Sequence, residues 1–124
     1  HESRVYLMFY DINEIIKDAT IPGLTVTSDP ASLRPALAAG ETCLWIGAPE
    51  AIDFDGYGQG TCTWATVIVH PNYRDHMAAL AEMLTLAEIL EPRLSITRIR
   101  PDTIDLAATV YPALELSFET TFRK

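Results

Sequence analysis

Near the N-terminus Val5, Met8, Phe9, Ile12, Ile15, Ile16 and Ala19 recur at the i, i+3, i+4, i+7 spacing of one helix face, with Ser3 placed as an N-cap. The spacing predicts a helix from about Glu2 to Ala19. Ile21-Pro22-Gly23 ends it, because Pro22 disfavours helical geometry at the preceding residue and Gly23 permits a turn. A short strand, Leu24 to Ser28, follows. Asp29 to Glu41 holds Pro30, Pro35 and Gly40 among alanines, and reads as a surface-wrapping segment with room for a turn or two of helix. Thr42 to Gly47 and Thr61 to His70 are rich in residues that suit a pleated sheet, and the two are expected to pair or lie close together. Between them, Ala48 to Gly60 carries Pro49, three glycines, two aromatics and three carboxylates, which predicts a thirteen-residue excursion rather than a tight hairpin turn.

Pro71 stops the long strand, and Asn72 offers a cap and Asp75 a first-turn acid for a second helix running to about Glu91. Met77, Leu80, Ala81, Leu84 and Ala87 form one stripe along it, widened by Met83, Leu86 and Leu90. So broad an apolar face requires a sheet or a neighbour over it. Pro92 is expected to end this helix, and Leu94, Ile96 and Thr97 to open a strand that Pro101 breaks after Arg100. Ala113 to Phe122 then alternates cleanly, with Leu114, Leu116, Phe118, Thr120 and Phe122 on one side, and reads as a half-buried strand. The order α-β-β-β-α-β-β, in which strands are not each followed by a crossover helix, predicts a single α+β domain spanning residues 1–124. It would hold a largely antiparallel sheet of about five strands with two main helices packed on one face. No internal repeat or linker divides the chain.

A length of 124 residues suits one core, and 48% apolar with 21% charged residues is a globular balance. Nine Lys plus Arg against seventeen Asp plus Glu leave a net charge of −8, which argues against a protein that grips a DNA backbone. No apolar run approaches the ~18 to 20 residues of a membrane span, and no basic-then-apolar export signal is visible, so the chain reads as soluble. Its two cysteines, Cys43 and Cys62, suit a reducing compartment and read as small buried thiols rather than a cross-strand disulfide.

Candidate chemistry is sparse. Asp53-Phe54-Asp55-Gly56 resembles the opening of a calcium loop and Gly58 falls at its sixth position, but the twelfth, where a bidentate Glu is needed, holds Trp64. Gly56, Gly58 and Gly60 precede a strand rather than a helix N-terminus, so they make a poor phosphate cradle. His70 and His76 lack a second ligand pair, the cysteines lie inside predicted strands, and no serine stands in a nucleophile turn. The residues call for no metal, no cofactor and no enzymatic role. Arg98 and Arg100, followed by Asp102 and Asp105, are either a solvated edge that resists sticking to other sheets or partners for a neighbour's acids such as Asp53 or Asp55. Phe54 and Tyr57 are either anchors for a partner or aromatics folded back on their own domain. Both pairs of readings stay open at this point.

Thr109-Val110-Tyr111-Pro112-Ala113-Leu114-Glu115-Leu116 and the alternating strand after it resemble the closing segment of tail terminator proteins of long-tailed phages, especially those of actinobacteria. The resemblance extends over nearly the whole chain: an amphipathic first helix, a Pro-rich turn, Cys43-Leu-Trp-Ile-Gly-Ala-Pro49 leading into an Asp/Gly loop, the long strand Thr63 to His70, and the Ala/Leu/Met helix. It implies a structural virion protein that forms a six-membered ring on the head-proximal end of the tail tube. Such a ring stops tube growth, docks the head connector or a neck protein, and encloses a channel through which genomic DNA passes without specific binding. The implied partners are further copies of the chain, the tail tube protein and the connector, with no membrane. No interface residue transfers from the family. The loop and charge arguments alone single out Asp53, Phe54, Asp55, Tyr57, Arg98 and Arg100. A neck or head-completion ring, or a monomeric module whose acidic loop captures a cation or a basic partner, are the alternative expectations.

Overall fold

The computed structural model describes residues 12–123. Within them a helical stretch at 12–18 (α1) is followed by β1 (Thr25–Thr27), a 3-10 turn (Pro30–Ser32), α2 (Leu33–Ala38), β2 (Cys43–Ile46), β3 (Ala51–Phe54), β4 (Gln59–Val69), α3 (His76–Leu94), β5 (Arg98–Leu106) and β6 (Thr109–Arg123). The earlier part of the predicted first helix, with its Ser3 cap, lies outside the described residues. The strands form one sheet in the order β1-β2-β4-β6-β5. All neighbours are antiparallel except β1 and β2, so the expected α+β architecture holds. As expected, the two β-rich segments pair, with Cys43 opposite Val69 and Ile46 opposite Thr66.

The centre of the sheet is the β4–β6 ladder, which runs unbroken from Gln59 opposite Arg123 to Val69 opposite Ala113. One face of it carries Trp64, Ile68, Leu114, Leu116 and Phe118, together with Leu44 and Ile46 of β2. These pack against Ile15 and Ala19 at the α1 end and against Ala79, Met83, Ala87, Leu90 and Leu94 of α3. Removing a side chain of this size from water contributes about 1.5–3 kcal/mol, so this layer dominates the stability. Trp64 is fully buried, stacks on Phe118 and donates its Nε1–H to Thr120 Oγ1 at 2.8 Å, which satisfies its polar atom.

Several expectations are corrected. The buried stripe of α3 is Ala79, Met83, Ala87, Leu90 and Leu94, while Met77 is 74% exposed and Leu84 and Ile89 also face outward. Asp75, not Asn72, caps α3 by accepting from the Ala78 amide, while Asn72 Oδ1 holds the amides of Arg74 and Asp75 just ahead. Pro92 does not end α3. It lies in the exposed last turn, where losing one amide costs little, and the helix stops at Ser95 in a left-handed cap. The Pro-containing segment before β2 forms α2, whose Leu33 and Leu37 pack with Cys43 and Val69 on the opposite face of the sheet, so the helices are not confined to one face.

The thirteen-residue loop is also corrected: Ala51–Phe54 is a sixth strand, paired with Thr63–Gly60 of β4. β2 and β3 share one edge of β4, separated by Gly47–Glu50, with the Glu50 amide donating to the Thr63 carbonyl. Pro101 sits inside β5 rather than at its end. The strand is at the sheet edge, so the side that lacks a donor needs no partner. β6 begins four residues before the predicted start, and Pro112 is tolerated there because β4 pairing stops at Ala113. A two-residue turn, Ala107-Ala108, joins β5 to β6 with both residues at positive φ (51° and 68°).

Candidate subunit interface

The β3–β4 hairpin builds the first half of the site. Its turn is Asp55-Gly56-Tyr57-Gly58, and the two glycines take φ of 83° and 79°, which side chains rarely adopt. Asp55 ties the turn together: its Oδ1 accepts from the amides of Tyr57 (2.8 Å) and Gln59 (3.2 Å), and its own amide donates to the Gln59 carbonyl. The carboxylate that looked like a cation ligand is therefore a turn-former. Phe54 lies opposite Gly60 and meets Phe122 edge-on, with ring centroids 5.8 Å apart. A Cβ on Gly60 would lie 2.3 Å from Phe122 Cζ and 2.7 Å from the Asp53 carbonyl, so only glycine lets this arm lie flat on the sheet. Phe54 thus packs back on its own domain, although 56% of it stays exposed. Tyr57 does not: at the tip it is 89% exposed. Asp53, opposite Thr61, shares the sheet face away from α3.

The second half lies on β5. Arg98 is opposite Ser117 and Arg100 opposite Glu115, on the same face as Asp53. Arg100 Nη2 sits 3.1 Å from Glu115 Oε1, a half-exposed guanidinium on a largely covered carboxylate, a pair that contributes on the order of 1 kcal/mol. Arg98 has no ion-pair partner among the described residues. Among the described residues the outer edge of β5 carries no further strand. Asp53, Phe54, Asp55 and Tyr57 are therefore gathered at one margin of the sheet, and Arg98 and Arg100 at the other. β4 and β6 stand between them, so the two groups do not meet within one chain.

Two features lie outside the sequence expectations. A groove of about 330 Å³ runs between α3 and β5, floored by Leu84, Ile96 and Ile99 and rimmed by Glu88, Glu91 and Arg98. The breadth of the apolar face of α3, too wide for one sheet contact, was the available signal. His70, just past β4, is buried: its Nε2 bonds Glu82 on α3 and its Nδ1 accepts from the Asn72 amide, an arrangement that fixes the Nε2–H tautomer. This pair fastens the end of β4 to α3, and nothing in the local sequence announces it. His76 is exposed at the first residue of α3.

Cys43 and Cys62 form no disulfide and are buried on opposite faces of the sheet. Burial, aided by Glu41, pushes the Cys43 thiol above its ordinary pKa, which favours the unreactive protonated form. Among the described residues no three metal-ligating side chains converge, and no helix is long and apolar enough to cross a membrane. No protein-family model matches the chain, and a search of curated proteins finds no match.

Proposed function

We propose that the protein is a structural ring subunit of the tail-terminator type, placed at the head-proximal end of a phage tail, where it stops tube growth and docks the connector. The observation that carries this reading is the separation of an acidic, aromatic hairpin from an arginine-bearing strand on opposite margins of one sheet. Surfaces that are complementary but differently located on one molecule associate head to tail, and head-to-tail contacts close into rings when the rotation allows. Joined in that way, the subunits turn α1 and α3 to one side and the opposite sheet face to the other. That opposite face carries Thr61, Thr63, Ser117 and Thr121 with Asp53 and Glu119, and at its β5 margin Arg98 and Arg100, of which Arg100 is paired with Glu115 and Arg98 would be taken up by the next copy's hairpin. Small hydroxyl side chains among carboxylates offer DNA phosphates little to hold, which suits a channel through which a genome slides.

Electron microscopy of the purified protein over a range of concentrations tests the reading. Six-fold rings with a hole wide enough for duplex DNA are expected. Binding of such rings to purified tail tubes, rather than to connectors alone, separates a terminator from a neck ring. Particles that stay monomeric at every concentration and on tube ends would instead favour a monomeric acidic-hairpin binding module.

A further inference from the structure

Resting on that ring reading, we infer that the hairpin tip of one copy docks in the α3–β5 groove of the next, with Tyr57 as the anchor and Asp53 facing Arg98. Three observations lead there. The tip is preorganised: Asp55 clamps the turn, and Phe54 against Phe122 fixes the arm, yet Tyr57 is left almost wholly in water. A large aromatic held rigidly in solvent loses little conformational freedom on binding, which is the behaviour of an interface anchor.

The groove fits that side chain. Leu84, Ile96 and Ile99 supply an apolar floor for the ring, and Ile99 is 42% exposed among the described residues. Glu88 and Glu91 on the rim would repel an acidic tip, but they can accept the proton that a tyrosine hydroxyl donates. Asp55 keeps its negative charge, and with its Oδ1 bonded to its own hairpin amides it serves the turn rather than the groove contact. Asp53 projects from the sheet face that Arg98 also occupies, so carboxylate and guanidinium are complementary across the same junction.

The hairpin that would fill the groove belongs to a second copy. Within one chain β3 and β5 are three strand spacings apart, about 14 Å, with β4 and β6 paired between them, and the hairpin cannot reach its own groove.

The test uses two full-length variants, Tyr57→Cys and Ile99→Cys, oxidised with diamide separately and as a mixture. The native thiols are buried and do not compete. A covalent dimer is expected in the mixture and not from either variant alone, and Tyr57→Ala is expected to weaken self-association by about tenfold or more. If rings form but the mixture does not cross-link, or Tyr57→Cys links to itself equally well, the groove assignment falls while the ring reading stands. If the protein neither assembles nor cross-links at any concentration, both fall.

Discussion

The centre of the sheet and its two margins obey different rules. Along β4 every second residue from Gly60 to Ile68 is buried, and Trp64, Thr66 and Ile68 face Phe118, Leu116 and Leu114 of β6. β3 and β5 belong to the same sheet, yet all four residues of β3 and the first six of β5 are exposed. A strand paired on both sides and covered by a helix is specified by burial. A strand at the margin is held by its one neighbour and is free to choose side chains for something other than the core. The aromatic tip, the acidic arm and the arginines all lie on the margins.

The contrast can be strained in four places. Trp64→Ala removes the largest core side chain and its hydrogen bond to Thr120, and is expected to cost about 3–5 kcal/mol in urea unfolding. A loss near 1 kcal/mol would mean that the centre is not the main source of stability. Gly60→Ala acts where centre meets margin. Its methyl group would collide with Phe122 and the Asp53 carbonyl, so a loss of about 1–3 kcal/mol is expected, together with faster amide exchange across Ala51–Phe54.

At the far margin, Ala107 and Ala108 both take the left-handed conformation that a two-residue hairpin prefers to fill with Asn-Gly. Replacing them by that pair is expected to raise stability by about 1 kcal/mol, read as an increased denaturation midpoint with an unchanged slope. The smallest effect is expected from Arg100→Ala. It breaks the pair with the largely covered Glu115 and should lower stability by about 1 kcal/mol or less, leaving any larger defect to assembly rather than folding.

The same division explains what was legible in the sequence. Alternation exposed β6, sheet-favouring residue types exposed β2 and β4, and 3.6-residue spacing exposed α3, because burial constrains the residues it covers. The margins carry no such period. Ala51-Ile52-Asp53-Phe54 reads as loop because none of its side chains is sealed, and only its ladder with Gly60–Thr63 makes it a strand. Pro101 and Pro92 read as breakers, but Pro101 turns its missing donor to the open side of an edge strand, and Pro92 lies in the last turn of α3, where one hydrogen bond is lost and not the helix. The division between Asp53 to Tyr57 and Arg98 to Arg100 was visible as two charged stretches. That they sit on opposite margins depends on strand order, which no local pattern encodes. The groove beside α3 requires the placement of β5 and was equally out of reach.

The central claim is that these two margins meet between copies. Sedimentation velocity on Asp53→Lys, Arg98→Glu and the double variant tests it directly. The account predicts that each single reversal shifts the protein toward monomers and that the double variant, with the pair restored in opposite sense, assembles again. Single variants that assemble as the unmodified protein does would contradict it.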